Sequence, residues 1–411
     1  MKKSISIILA VVMLLSVICI APASVNAITS GNFGYRLTKS GNAVIFNYYG
    51  NKTDVVFPAT LDGHKVTAID TGVNFNDDYT NFGKVTISKG IKKICGGAFE
   101  NCKIDTLVLP STVTTIENYA FCGNDFESVK LPEKALNLGE EVFASCYSLK
   151  KVTLPSKLTK IPKSFFSGCK KLKEIKLPSK VKTIGECAFL GCKKLSKVTF
   201  NSKLTKIGKR AFESCEALTS VKLNEGLKTI CEDAFTECYT LKKVYLPYTL
   251  KTIEKFAFFF DSALETVTIP DSVKTVGDYA FGYFNEVFGD DDLMYFKYQD
   301  EGGKPFVIKA YKNTAGAKYA KDNGFTYKEI KAPKKVKLNK KTAKLTVGKT
   351  LKLKATFKPK KAVTLLKWKS NNKKIATVNA KGKVKAKKRG NVTITVKTHN
   401  GKKANCKIKV V

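Results

Sequence analysis

The chain has 411 residues, of which 43% are hydrophobic, and carries 73 Lys+Arg against 34 Asp+Glu for a formal net charge of +39. That hydrophobic content excludes a wholly disordered polymer despite the charge. Two His in the whole sequence leave little material for His-based acid–base chemistry or zinc ligation, so an enzyme is not expected.

Lys2 and Lys3, the apolar run Ile5 to Ile20 and the small-residue stretch ending at Ala27 have the three-part layout of a secretory signal peptide. Cleavage is expected after Ala27, with Ala23 as the lesser candidate. Cys19 follows Ser-Val-Ile rather than the small residues of a lipoprotein signal, and the run is short for a retained membrane span. No later run is long enough to span a bilayer, and the C-terminus has no sorting-type tail. The expectation is a soluble monomer outside the cell, with no membrane span after signal removal.

From residue 28 to 330 the sequence repeats itself. Phe99, Phe121, Phe143, Phe166, Phe189, Phe212, Phe235, Phe258 and Phe281 recur at intervals of 22, then 23 residues. Apolar columns keep step with them: Val152, Ile175, Val198, Val221, Val244 and Val267, then Ile161, Ile184, Ile207, Ile230, Ile253 and Val276. A unit this small cannot bury its own core, so stacked copies must share one, which makes a repeat solenoid. The period-two alternation around Val152 and its equivalents predicts a short strand pairing in parallel with its neighbours. Pro155, Pro178, Pro247 and Pro270 end those strands, because proline cannot donate to the ladder. Asp54 to Phe75 reads as a degenerate first copy, Gly31 to Gly50 as a β cap, and Phe306 to Ile330 as the closing cap.

The pattern Leu-x-x-Ile-x-Leu-Pro-x-x-Leu-x-x-Ile-x-x-x-Ala-Phe-x-x-Cys resembles the leucine-rich repeats of the BspA-like, Treponema-type family of bacterial surface proteins. The resemblance covers residues 31 to 330. It implies a β-rich solenoid whose parallel strands line a concave face that binds host proteins or other cells, and it implies no catalytic residue and no cofactor.

Eleven cysteines remain after the signal, an odd number that cannot all pair within one chain. Cys102, Cys146, Cys169, Cys192, Cys215 and Cys238 each lie three residues after a repeat Phe, and Asn124 holds that slot in the second copy. Asn and Cys can both hydrogen-bond turn backbone, whereas Asn cannot form a disulfide. The interchange favours a structural ladder of free thiols over disulfides. One Cys per coil does not converge on a point, so no metal site is expected.

The strand residue between the two core positions points outward. Down the stack it reads Thr86, Val108, Lys130, Thr153, Lys176, Thr199, Lys222, Tyr245 and Thr268, flanked by Lys151, Lys173, Lys197, Lys242 and Lys243. Coils ~5 Å apart set alternate lysines ~10 Å apart, about one Debye length at physiological salt. Residue by residue this is a solvated strand face. As a whole, Lys130, Thr153, Lys176, Thr199, Lys222, Tyr245 and Thr268 form the candidate ligand-binding face for a host or neighbouring-cell protein or an anionic glycan. The segment Gly282 to Pro305 breaks the period with Glu286, Asp290, Asp291 and Asp292 among aromatics; it lacks the spacing of a calcium loop and reads as a solvated loop.

Residues 331–411 hold 28 Lys+Arg and no Asp or Glu. Ala332-Pro333 reads as a linker, and six or seven short alternating runs follow, as in a β-sandwich. Trp368-Lys-Ser370-Asn-Asn372 with Ile375, Val378, Gly382, Val384, Ala386, Gly390 and Ile394 resembles bacterial Ig-like domains of group 2, so an all-β Ig-like sandwich with Trp368 in its core is implied. Lys352, Lys354, Lys367, Lys369, Lys383, Lys385, Lys387, Lys388 and Arg389 alternate with core positions and form the candidate polyanion-binding, wall-binding surface. A cell-wall polyanion suits an exported chain, and nucleic acid does not. His64 and His399 lie in turn-like stretches and read as solvated. The function expected is secreted or cell-surface adhesion and recognition; the alternative is a structural wall-associated protein binding polyanions without a dedicated ligand.

Overall fold

The computed structural model describes residues 27–70, 82–288, 292–297 and 305–411. The signal stretch 1–26 and Asp290 and Asp291 therefore lie outside the described residues. The described residues between 43 and 330 form a β-solenoid, and residues 332–411 form an Ig-like sandwich.

Each coil contributes two short strands, one on each of two sides. In one coil these are Glu174–Lys176 and Thr183–Ile184; they pair in parallel with Lys197–Thr199 and Lys206–Ile207 of the next. Ile175 and Ile184 point inward and are buried, while Lys176 points out, as alternation requires. A third row of inter-coil bonds runs through the Ala-Phe turns: Phe189 N–H donates to the Ala211 carbonyl at 2.8 Å and Phe212 N–H to that of Ala234 at 2.8 Å. Left-handed backbone two residues before each Phe, as at Cys187, Arg210 and Asp233, bends the chain into that turn.

The nine repeat phenylalanines are all fully buried. They stack in one column, with ring centroids 5.5 Å apart for Phe99–Phe121, 5.1 Å for Phe212–Phe235 and 4.8 Å for Phe258–Phe281. The second ladder breaks once, between Asn137–Leu138 and Lys160–Ile161. Elsewhere the next residue donates to the preceding coil, as Gly139 N–H does to Ile116 O (2.8 Å) and Gly185 N–H to Ile161 O (2.9 Å). Pro162 occupies that slot and has no N–H.

Both ends are covered, which removes open strand edges. Strands Ile28–Ser30, Phe33–Leu37 and Ala43–Tyr48 pair antiparallel, and the last runs parallel to His64–Ile69. At the other end, Val307–Tyr311 and Thr326–Ile330 extend the face of Thr266–Ile269, joined by the helix Ala315–Asp322, which Thr314 caps. Tyr319 closes the phenylalanine column: its hydroxyl meets the backbone N–H and carbonyl of Phe281 at 3.1 and 3.2 Å.

The segment read as a solvated loop is instead an antiparallel hairpin, Tyr283–Phe288 with Asp292–Lys297. Tyr295 stacks on Tyr279 at 4.2 Å and sits 5.7 Å from Phe256. Aromatic and β-branched residues on both sides of the acidic stretch, Tyr283, Phe284, Val287 and Phe288 before it and Tyr295 and Phe296 after it, carry a strand signal that the acids obscure.

In the Ig-like module, one sheet contains Thr342–Leu345, Lys403–Val410, Gly390–Thr398 and Leu366–Ser370, and the other Thr350–Lys352, Lys383–Ala386 and Ala376–Val378. The run Leu351 to Phe357 splits: Thr350–Lys352 joins the second sheet, while Ala355–Lys358 pairs with Lys335–Leu338. Trp368 is half-buried against the core of Leu353, Val384, Ile394 and Cys406. Gly382, at φ +77, lets the chain pass this indole; a Cβ there would lie 2.8 Å from Trp368 Cζ2 and 2.6 Å from Leu353 O. Gly382→Ala is expected to destabilise the module by about 2–4 kcal/mol, combining left-handed strain with overpacking. Trp368 is the sole tryptophan, so its fluorescence during urea unfolding reads this module alone; an unchanged midpoint would refute the packing argument.

Candidate ligand face and inter-module cleft

The strand-face residues align as cross-strand pairs. Lys130 is opposite Thr153, Lys176 opposite Thr199, and Lys222 opposite Tyr245. All six are exposed, while Thr268, opposite Lys309, is half-buried. Lys309 is in turn opposite Lys328, so the face continues into the closing cap. The flank is less basic than its lysine count: Lys197 pairs with Glu174 at 3.3 Å, and Lys150 with Glu127.

The Ig-like module docks against the solenoid where this face ends, and His399 is the pivot. Its side chain is only 5% exposed, which corrects the solvated-turn reading. The ring stacks on Tyr248 at 4.3 Å, Nδ1 meets Thr364 Oγ1 at 2.7 Å, and Nε2 lies 3.3 Å from Asp271 Oδ2. The imidazole beside Asp271 holds its carboxyl below the usual range. Tyr311 donates its hydroxyl to the Val363 carbonyl at 2.7 Å and sits 3.0 Å from the Tyr248 hydroxyl. Burial pushes both phenols up, so they act as neutral hydrogen-bonding groups. Lys367 Nζ approaches Glu225 Oε2 at 3.8 Å. His64 is half-buried, with Nδ1 2.9 Å from the Gly41 carbonyl.

Docking creates a cleft of about 490 Å³. Lys222, Tyr245 and Thr268 of the candidate face line it on the solenoid side, and Val363–Leu365 close it from the module. The other four face residues lie outside it. Lys242, Lys243, Asn224 and Tyr248 also line it, and only the first two are flanking lysines of the face.

The wall-binding candidates divide between two sheets. Lys352, Lys383 and Lys385 share one, with Lys354, Lys387, Lys388 and Arg389 in its connections; Lys367 and Lys369 belong to the other. All are exposed. The second sheet also carries Lys344, Lys407 and Lys409, whose strand alternation in the sequence marks them equally. Lys352 faces Lys383 and Lys397 faces Lys403 directly across strands, a destabilising arrangement of like charges that no carboxylate of the module can relieve.

The cysteine slot is filled as a hydrogen-bonded column. The thiols of Cys146, Cys169, Cys192, Cys215 and Cys238 donate to the carbonyls of Phe121, Phe143, Phe166, Phe189 and Phe212 at 3.2–3.3 Å. Asn124 joins the column by donating to the Phe99 carbonyl at 2.7 Å, and Cys102, in the first copy, turns to Glu100 O at 3.5 Å. Burial pushes the thiols up, to about 12 for Cys146 and Cys102, which makes them poor nucleophiles. The same slot in the eighth copy holds buried Asp261, unnoticed in the sequence although Phe258 plus three residues locates it. Among the described residues no group of three or more His, Cys, Asp or Glu could hold a metal ion, and no helix is long and apolar enough to cross a membrane.

Comparisons with known proteins agree with this architecture. The profile of the BspA type leucine rich repeat region matches residues 73–185 and 159–287, in six copies. That of the bacterial Ig-like domain (group 2) matches residues 332–408. Among solved structures, the chain is similar to a leucine-rich repeat protein from Bacteroides ovatus (21% identity, 74% of this chain and 100% of that one, TM-score 0.38). It is also similar to a leucine rich cell surface protein from Faecalibacterium prausnitzii (21%, 64% and 96%, TM-score 0.30) and to the pneumococcal vaccine antigen PcpA (19%, 75% and 99%, TM-score 0.44). No curated protein matches. With the repeat profile spanning more than half its length, the chain belongs to the BspA-type leucine-rich repeat family and ends in a bacterial Ig-like domain of group 2.

Proposed function

We propose that this protein is exported and acts at the cell surface as a non-enzymatic recognition protein, binding a protein or anionic glycan through the strand face. The observation that carries this reading is the set of exposed Lys, Thr and Tyr side chains on successive coils, aligned as the cross-strand pairs Lys130–Thr153, Lys176–Thr199 and Lys222–Tyr245. These positions contribute nothing to the core, so their chemistry is free to serve a partner. The Ig-like module adds a charge-dense surface suited to cell-wall polyanions, and its opposed lysines gain most from counter-charges supplied from outside.

The test is binding of the chain from residue 28 to matrix proteins and glycans, with a Lys130→Ala, Lys176→Ala, Lys222→Ala variant alongside. The expected result is saturable binding to a defined partner that survives about 0.5 M salt, where charges more than ~4 Å apart are screened, and that drops at least tenfold in the variant. Binding to every polyanion, all of it lost at that salt, would instead favour the structural wall protein.

A further inference from the structure

We propose that the cleft between the strand face and the docked Ig-like module is a subsite for an anionic sugar residue. The inference rests on the strand-face reading and narrows its ligand. Four observations converge on it.

Tyr245 is 54% exposed and lines the cleft, on a strand paired with Ser220–Lys222. An exposed aromatic ring on a rigid strand offers a flat apolar surface, to which the C–H face of a pyranose is complementary. Lys222 stands directly opposite Tyr245, and Lys243 lies two residues earlier on the same strand, hence on the same face. With Lys242 they bring three ammonium groups to one opening, and the ion pairs of this region, Lys197–Glu174 and Lys367–Glu225, leave them out. Glu225, the one carboxylate lining the cleft, has its charge offset from outside the lysine cluster: Oε1 accepts from Tyr248 N–H at 3.0 Å, and Oε2, buried without a hydrogen-bond partner, lies 3.8 Å from Lys367 Nζ. The unbalanced charge is therefore positive. The volume of about 490 Å³ lies within the range of small-ligand sites.

An acidic peptide fits less well. Extended peptides gain affinity from accessible strand edges; here Ser220–Lys222 and Lys243–Tyr245 pair with each other, and the outer edge of Lys243–Tyr245 packs against Thr266–Ile269 of the next coil. A peptide would obtain charge alone; an acidic sugar obtains charge and the ring. Val363–Leu365 supply one wall, so the subsite is complete only while the His399 contacts hold the module in place.

The experiment is calorimetric titration of the chain from residue 28 with four probes: a galacturonic acid tetrasaccharide, a sulfated heparin tetrasaccharide, neutral maltotetraose and hexaglutamate. One or both acidic tetrasaccharides should bind at one site, which also distinguishes carboxylate from sulfate recognition, and maltotetraose and hexaglutamate should bind at least tenfold more weakly. Tyr245→Ala and Lys222→Ala, both at exposed positions that leave the melting temperature unchanged, should each reduce affinity about tenfold. His399→Ala should reduce it by opening the wall, and Lys39→Ala on the N-terminal cap should not. Equal binding of hexaglutamate, no binding of either acidic sugar, or indifference to Tyr245→Ala would overturn the proposal. A partner that needs Lys130 and Lys176 but ignores Tyr245 would sink the cleft and leave the strand-face reading standing.

Discussion

Phe212→Ala is expected to lower the unfolding free energy of the solenoid by about 3–5 kcal/mol, the range for large-to-small changes at aromatic core sites. Phe212 is fully buried, stacked 5.1 Å from Phe189 on one side and 5.1 Å from Phe235 on the other, with Phe200 edge-on at 5.9 Å. Truncation empties a slot between two coils that cannot close over it. Their spacing is fixed by the backbone bonds of Phe212 N–H to Ala234 O and Phe189 N–H to Ala211 O, and by the parallel pairing of Lys206–Ile207 with Thr229–Ile230. The cost therefore includes the cavity and the lost ring contacts, the latter about 0.5–1.5 kcal/mol per pair. Because coils in a solenoid are coupled only to their neighbours, an interior lesion also separates the array into two halves. Urea unfolding followed by circular dichroism should show a lower midpoint and a broader transition with a smaller slope. A shift below about 1 kcal/mol with unchanged slope would mean that the column is not the principal support of the stack. Tyr245→Ala, at an exposed position of the same array, serves as the comparison and should move the midpoint by less than ~0.5 kcal/mol.

What could be read from the sequence is what repeats. The spacing of the phenylalanines locates the nine coils from Phe99 to Phe281, the residue three positions on locates the thiol column, and period-two alternation orients Lys176 outward and Ile175 inward. Each of these is decided within one unit and then multiplied by stacking. What could not be read is what happens once. The burial of His399 depends on Asp271, which is 128 residues away in sequence, and on Tyr248; nothing local to Thr398-His399-Asn400 signals it. The same holds for the cleft, since Val363–Leu365 and Tyr245 belong to separate folding units. Pro162 lay between the two regimes. Its effect on the ladder follows from proline's missing N–H, but only after Gly139 and Gly185 identify that slot as a donor. The split of Leu351 to Phe357 between two sheets is likewise invisible to alternation: Leu353 N–H still reaches the Gly382 carbonyl at 2.9 Å in register with the second sheet, and the next residue, Lys354, already exchanges bonds with Asn339 beside the other strand pair.

Asp261→Asn should stabilise the protein at neutral and alkaline pH, the opposite of what most core substitutions do. Asp261 occupies the thiol slot of the eighth copy and is 4% exposed. Its Oδ1 accepts from Cys238 N–H at 2.9 Å, whereas its Oδ2 is buried without a partner. In the preceding coils this slot supplies a donor to a phenylalanine carbonyl: Cys215 to Phe189 and Cys238 to Phe212. A protonated carboxyl can do the same, while a carboxylate leaves a charge buried and that donor missing. Burial accordingly pushes the Asp261 carboxyl well above its ordinary range. A folded-state pKa above the unfolded value of about 3.9 contributes its full stability below that pH. As pH rises the unfolded chain ionises first, and stability falls until the folded carboxyl also titrates. Asparagine removes this penalty, keeps the bond from Cys238 N–H and supplies the missing donor, as Asn124 does in the second copy by accepting from Ile104 N–H at 2.9 Å and donating to Phe99 O at 2.7 Å. The expected gain is about 1–3 kcal/mol at pH 8, the scale of one buried unsatisfied group, shrinking toward zero at pH 4. Urea unfolding of both proteins at pH 4, 6 and 8 tests it. A gain independent of pH would point to packing rather than protonation, and a loss at pH 8 would mean that the carboxylate has a partner which the amide cannot replace.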